Sequence, residues 1–316
     1  MTVARNVGRN RHNRREVLRF GVLAALAVPL AGCGEGYDDS PDPLAATAAA
    51  ARSDAAAARE LSESADVKLA ATVAEIRAAH AEALGREVAR ANRPPLKGKA
   101  AGGALNDLAA LGKRLRTGRE KASSLLLTEP RHRAALLGSV AAGCASAQAL
   151  DPALGKLPEP EFEPPSPASE LDEDAVAALQ QALDAEHAAI WVFGLVGAFL
   201  PGSYSEGLDA ATSEHRRRRN GTQLVIAAAD ATPNIAEPAY LPPEPVKHAT
   251  SAKALVVTTE ADAASAWRGV LERCDDKELR TFAAAALTAS AVRGTRWRAE
   301  LGTSPTAVAL PGTKAE

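Results

Sequence analysis

Apolar residues recur at three- and four-residue intervals through most of this chain, the period of a helix that buries one face. From Leu44 to Asn92 the sequence is almost free of Pro and Gly and rich in Ala, Glu and Arg. That predicts two helices, broken near Ser62 to Asp66 and stopped by Arg93-Pro94-Pro95. Two more are expected over about Leu105 to Leu127 and, after the start signal Glu129-Pro130, over Arg131 to Leu150. A proline- and glutamate-rich stretch, 151–169, then reads as a stiff linker. Beyond it, Glu170 to Leu200, Tyr204 to Ala231, Thr250 to Cys274 and Asp276 to Leu301 predict four further helices, with Asp172 and Asp275 or Asp276 as N-terminal caps.

The expected architecture is therefore all-α, with two helical bundles at 44–150 and 170–301 and a loose tail at 302–316. The connection from Thr232 to His248 is long and rich in proline. Such a crossover suits a bundle whose middle helices run parallel, the ferritin-like arrangement, better than a simple up-down-up-down bundle. Composition narrows the core. Alanine dominates the apolar residues and aromatics make up only 3%, so the core must come from closely approaching helices lined with Ala, Leu and Val, and β-sheet is disfavoured.

Each predicted C-terminal helix aims an ionisable group along its apolar stripe. Leu179, Leu183, Glu186, Ile190, Phe193, Gly197 and Leu200 align on the first helix. On the second, Ala211, His215, Arg218, Thr222, Val225 and Ala229 align, with Glu214 on the neighbouring face. Val257, Glu260, Ala264, Trp267, Leu271 and Cys274 follow on the third. On the fourth come Leu279, Phe282, Ala286, Ala289 or Ser290, Arg293, and Arg296 or Trp297. Buried carboxylates need compensation. Two solutions are open: a divalent iron or manganese held by carboxylates and imidazole, or Arg293 as the cation in place of a metal and no cofactor at all.

Ala185-Glu186-His187-Ala188-Ala189, Glu214-His215-Arg216, Pro238-Ala239-Tyr240-Leu241-Pro242 and Ala291-Val292-Arg293-Gly294-Thr295-Arg296-Trp297 carry a resemblance to the ferritin-like domain of unknown function of actinobacterial lipoproteins. It covers roughly residues 170 to 301 and implies a fold; it carries no catalytic residue with it. The chain departs from di-iron ferritins, which need a Glu on each of two helices and Glu-x-x-His on the other two. Here Glu186-His187 and Glu214-His215 are adjacent pairs, about 100 degrees apart around a helix. Arg293 and Arg296 stand where ligands would.

The N-terminus reads as an address. Arg14 and Arg15 precede a short apolar run, Phe20 to Ala31, that ends in Leu30-Ala31-Gly32-Cys33. The run falls short of the roughly 20 residues of a membrane-spanning helix. It resembles a bacterial twin-arginine leader over 1–32 with a lipobox, which implies lipidation of Cys33, a tether over 33–43 and a site on the outer face of the cell membrane. An ordinary cleaved secretory signal is the bland alternative. Cys144 and Cys274 then remain in an oxidising exterior, as a disulfide, as buried thiols or as a reactive thiol.

The formal net charge of -2 offers no field for nucleic acid. Arg216 to Arg219 wrap most of the way around a helix and read mainly as a solvated face, and His80 and His132 as lone surface or satisfied histidines. The leading expectation is a lipid-anchored, non-catalytic binding or scaffolding protein of the cell envelope. The alternative is a metal-binding redox bundle using Glu186, His215 and Glu260, with His187 or Glu214 completing the shell. A third class is an adaptor that engages an envelope protein along 232–248.

Overall fold

A computed structural model describes residues 40–65, 67–96, 103–160, 162–166 and 170–313. Arg14, Arg15 and Cys33 lie outside the described residues. Within them the protein is all-α. Eight α-helices follow in order: α1 Ala45–Ala65, α2 Lys68–Ala91, α3 Leu108–Leu126, α4 Arg131–Gln148, α5 Glu173–Val196, α6 Ser205–Ala228, α7 Ala249–Arg273 and α8 Lys277–Leu301.

Short polar residues set the helix starts. Asp107, Asp172 and Asp276 accept hydrogen bonds from the backbone N–H groups of Ala110, Ala175 and Leu279 at 2.7, 2.8 and 2.9 Å, which satisfies donors that the first turn leaves orphaned. His248 caps α7 in a reciprocal box with Ser251. Asn92, at φ 48°, ends α2 ahead of the two prolines, and Gly302, at φ 65°, ends α8.

The direction of each C-terminal helix follows from which residues meet. One end of the bundle gathers Leu179 and Leu183 of α5, Val225 and Ile226 of α6, Val270 and Leu271 of α7, and Leu279 and Phe282 of α8. The other end gathers Phe193 and Val196 of α5, Leu208 and Ala211 of α6, Leu255 and Val256 of α7, and Trp297 of α8. So α5 and α8 run one way and α6 and α7 the other. The segment after α6 must therefore return along the bundle before α7 begins, and this is the ferritin-like crossover.

Helix α4 joins the two groups of helices. Its sequence, mostly Ala, Gly and Ser with Leu, Val and Cys, has no wide polar face, and it is buried from Arg133 to Gln148 except at Leu136. A helix that is small and apolar all round is one surrounded by others. It packs against α3 and α2 on one side and α7 and α8 on the other. One core cluster accordingly runs from Leu44 through α4 to Ala291, and the described residues from Pro41 to Thr313 form one compact unit.

The proline-rich stretch lies on this shared core. Its Leu154 and Phe162 are buried. Phe162 meets Phe282 edge-on at 6.0 Å, and Pro164 packs over Gly221. The tail behaves in the same way, in contrast to the loose end expected of it. Ser139 donates to the Pro311 carbonyl at 2.8 Å, His80 Nε2 bonds the Ala309 carbonyl at 2.7 Å, and Ala307 is buried. Backbone carbonyls that a helix interior cannot supply are supplied by the tail.

Gly143 makes this docking possible, because a Cβ there would stand 1.9 Å from the Ala309 oxygen. Gly143→Ala is expected to lower stability by about 1–3 kcal/mol and to expose the tail to amide exchange. Gly207→Ala, in a helix with nothing within 4 Å of the new methyl, is expected to raise stability by up to about 1 kcal/mol. Denaturant unfolding of the two variants side by side checks both signs.

Candidate functional site

Between the two apolar ends of the C-terminal bundle lies a layer of buried charge. Glu186 comes from α5, His215 and Arg218 from α6, Glu260 from α7, and all four are fully buried. Arg293 from α8 and Glu214 from α6 close the layer toward solvent, with side chains 15% and 12% exposed. Every helix of the bundle places at least one of these groups mid-length on its inward stripe, so the four-helix geometry brings them together.

His215 is the hub. Its Nδ1 bonds Glu186 Oε2 at 2.6 Å and its Nε2 bonds Glu260 Oε1 at 3.2 Å. Arg293 Nη1 donates to the same Glu260 oxygen at 2.7 Å, and its Nη2 pairs with Glu214 Oε2 at 2.6 Å. Arg218 donates to Glu214 from Nη2 and to Ser290 Oγ from Nη1 at 2.9 Å, with Glu186 Oε1 3.6 Å away. The Trp267 indole N–H donates to Glu186 Oε1 at 2.6 Å. Aromatic rings wall the layer: Phe193 lies 5.2 Å from the His215 ring, and Phe162 lies 4.7 Å beneath the Arg218 guanidinium.

The charges balance. Burial alone would push the Glu186 and Glu260 carboxyls up, but the His215 charge, joined by Arg218 at Glu186 and by Arg293 at Glu260, more than offsets it and holds both below the ordinary value. Burial likewise raises the Glu214 carboxyl, and Arg218 and Arg293 overcome it. Burial disfavours the His215 cation, yet Glu186 and Glu260 on either side raise its pKa above the ordinary 6.5. Three carboxylates are thus matched by two guanidinium groups and an imidazolium. With both ring nitrogens protonated, the 3.1 Å approach of Arg293 Nη1 to His215 Nε2 is that of two donors sharing one acceptor oxygen.

A divalent metal does not fit this donor set. Both imidazole nitrogens are committed to carboxylates, and a guanidinium sits on the Glu260 oxygen that faces the layer. No group of three or more His, Cys, Asp or Glu among the described residues is placed to hold an ion. Glu260 Oε2 and Arg218 Nε are the two polar atoms of the layer without a partner among the described residues.

Of the residues singled out from the sequence, Glu186, Glu214, His215, Glu260 and Arg293 meet in one site, whereas His187 does not. It points to the crossover, where its Nε2 lies 3.3 Å from the Asn234 carbonyl. Arg218, Trp267, Ser290 and Phe162 belong to the layer without having been assigned to it. Arg216 and Arg217 are exposed, as a solvated arginine face requires, but Arg218, the next residue of the run, is fully buried. Its three-residue step from His215 is the one sequence signal that sets it apart.

Cys144 and Cys274 are both buried free thiols. Cys144 receives Arg77 Nη1 at 3.4 Å, and burial raises its pKa. Burial, helped by the Arg77 charge, lowers His80 to about 3, so it is a neutral core histidine. His132 is exposed beside Glu87.

The fold and the layer together define an all-α, ferritin-like bundle centred on an ion-pair network. Residues 178–315 match the model of a family described as a domain of unknown function (DUF4439). A conserved hypothetical protein from Mycobacterium tuberculosis, known from its crystal structure, is similar at 39% identity over 44% of this chain and 97% of that one, with a TM-score of 0.40. Residues 178–315 of the chain thus carry this domain of unknown function. No curated protein matches the chain.

Removing one partner of such a layer leaves its counter-ions buried and bare. Glu260→Gln is expected to cost about 3–5 kcal/mol, and Glu260→Met with Arg293→Met less than the sum of the two single changes; a double-mutant cycle by denaturation reads both. The pH dependence has a definite sign. Carboxyls held below 4.5 stabilise the fold above that pH, and the contribution is lost as pH falls through their lowered folded values. His215, raised above 6.5, contributes fully below 6.5, and that contribution is lost as pH rises through its folded value. His215→Gln should therefore flatten the alkaline decline of unfolding free energy; an unchanged slope would mean that the ring is neutral.

Proposed function

We propose that this protein is exported and held at the outer face of the cell membrane by lipid on Cys33, and that its ferritin-like body is a non-catalytic binding or scaffolding component of the envelope. The observation that carries the non-catalytic reading is the guanidinium of Arg293 on Glu260, in the place where a ferritin-like bundle would need a metal ligand. The twin arginine at Arg14 and Arg15 and the Leu30-Ala31-Gly32-Cys33 box support export and anchoring.

The crossover supports a binding role. It is tied down where the Asn234 amide donates to both Asp184 oxygens at 3.0 Å and where Tyr240 packs on Trp191 at 5.9 Å. Between and beside these ties, Ile235 and Leu241 are 88% and 95% exposed. Two aliphatic side chains held in water on a proline-stiffened segment suit an apolar patch on another envelope protein.

The test has two parts. Wild-type chain should take up labelled fatty acid and fractionate with membranes, and Cys33→Ala should do neither. Protein purified without chelators should carry iron and manganese well below one per chain. About two irons per chain, lost in Glu186→Ala and Glu260→Ala, would overturn the non-catalytic reading and favour a redox centre.

A further inference from the structure

A separate cavity lies among the N-terminal helices. Along part of their length α1 and α3 do not close on each other, because Ala50 of α1 and Gly118 of α3 are too small to fill the gap, and a slot of about 330 Å³ remains. Its charge is one-sided. Lys113, Arg114 and Lys121 line it from α3 and Arg77 from α2, opposed by Asp54 alone. That carboxylate is already divided, taking Arg77 Nη2 at 2.8 Å and Arg114 Nη1 at 3.4 Å. Lys113 and Lys121 are exposed and form no ion pair among the described residues.

Two further donors, on residues that line the slot, lie buried beneath its surface. Thr47 is 3% exposed and Arg77 fully buried, and neither Thr47 Oγ1 nor Arg77 Nε has a partner among the described residues. A buried donor without an acceptor is a standing penalty unless something outside the chain supplies one. The Arg77 guanidinium also packs on Gly118, where a Cβ would stand 3.1 Å from Nη2. The cation therefore reaches the floor of the slot only because position 118 has no side chain. Excess positive charge, unmet donors and walls of alanine and lysine methylenes are the chemistry of a site for an anion that carries an apolar body.

We propose that the slot between α1 and α3 binds a phosphate-bearing anion, either an anionic phospholipid headgroup or a soluble phosphate compound. Lys113 and Lys121 form the mouth, and Arg114, Arg77 and Thr47 form the inner donors. The headgroup source rests on the membrane anchoring proposed above. The phosphate chemistry does not.

Calorimetric titration of the full chain in non-ionic detergent with short-chain phosphatidylglycerol, short-chain phosphatidylcholine and inorganic phosphate tests this directly. Lys113→Gln with Lys121→Gln is expected to weaken phosphatidylglycerol binding by about tenfold or more. Arg216→Gln with Arg217→Gln, which removes the same charge from the exposed face of α6, should leave binding unchanged; circular dichroism melts confirm that both variants fold. Preference for phosphatidylglycerol over phosphate supports the headgroup, and equal competition by phosphate supports a soluble compound. Three results would overturn the site: neither ligand binds, phosphatidylcholine binds as well as phosphatidylglycerol, or the two double variants weaken binding equally. Fatty-acid labelling of Cys33 is read separately, so loss of the anchor leaves the slot standing and loss of the slot leaves the anchor.

Discussion

A charged imidazole held between two carboxylates in a dry bundle constrains everything around it. His215 can keep a proton on both nitrogens only while Glu186 and Glu260 flank it, and those carboxylates stay ionised only while Arg218 and Arg293 complete the balance. The groups come from four helices, so their geometry sets the rotation and height of each helix against the others. A buried network of this kind contributes modestly to net stability, since desolvation consumes most of the attraction. Its larger effect here is on register: sliding one helix by a turn would separate every pair in the layer at once.

The same constraint explains the aromatic residues in a chain with few of them. Trp267 spends its N–H on Glu186, Phe193 covers His215, and Phe162 covers Arg218. Phe162 comes from the proline-rich stretch, which brings that segment back over the gap between α6 and α8. Elsewhere the core is made of small residues, and glycines at helix contacts let backbones meet. A Cβ on Gly138 would stand 2.4 Å from Leu271, and one on Gly112 would stand 2.0 Å from the Leu154 carbonyl. Ala- and Gly-lined approaches around α4 therefore unite both groups of helices in one core.

Most of the helical plan was legible because its signals are local. Asp172 and Asp276 cap, prolines stop, and the three-four spacing of apolar residues gives each face, whereas Asp107, inside the helix expected from Leu105, proved to be its cap. The inward position of Glu186, His215, Glu260 and Arg293 was legible on the same ground, since each interrupts an otherwise apolar stripe. Arg218 was harder to read, because four consecutive arginines look like a solvated face and only its three-residue step from His215, along the apolar stripe, points the other way. Phe162 and the tail carry no periodicity. Their burial depends on contacts with Phe282, Ser139 and His80 that lie far along the chain, and no local pattern encodes those. His187 shows the converse: it sits beside a buried glutamate in sequence yet faces another side of α5, as a step of about 100 degrees requires.

Both the poor fit for metal and the register that the layer imposes on the four helices depend on the protonation of one ring. Nitrogen-15 NMR of the full chain, with the His215 signals assigned by their loss in His215→Gln, measures it directly at neutral pH. The account predicts that both His215 ring nitrogens carry a proton and resonate as an imidazolium. A neutral ring with one bare nitrogen at that pH would contradict it, because a free lone pair between two carboxylates is what a metal-binding centre needs and a closed ion-pair network does not have.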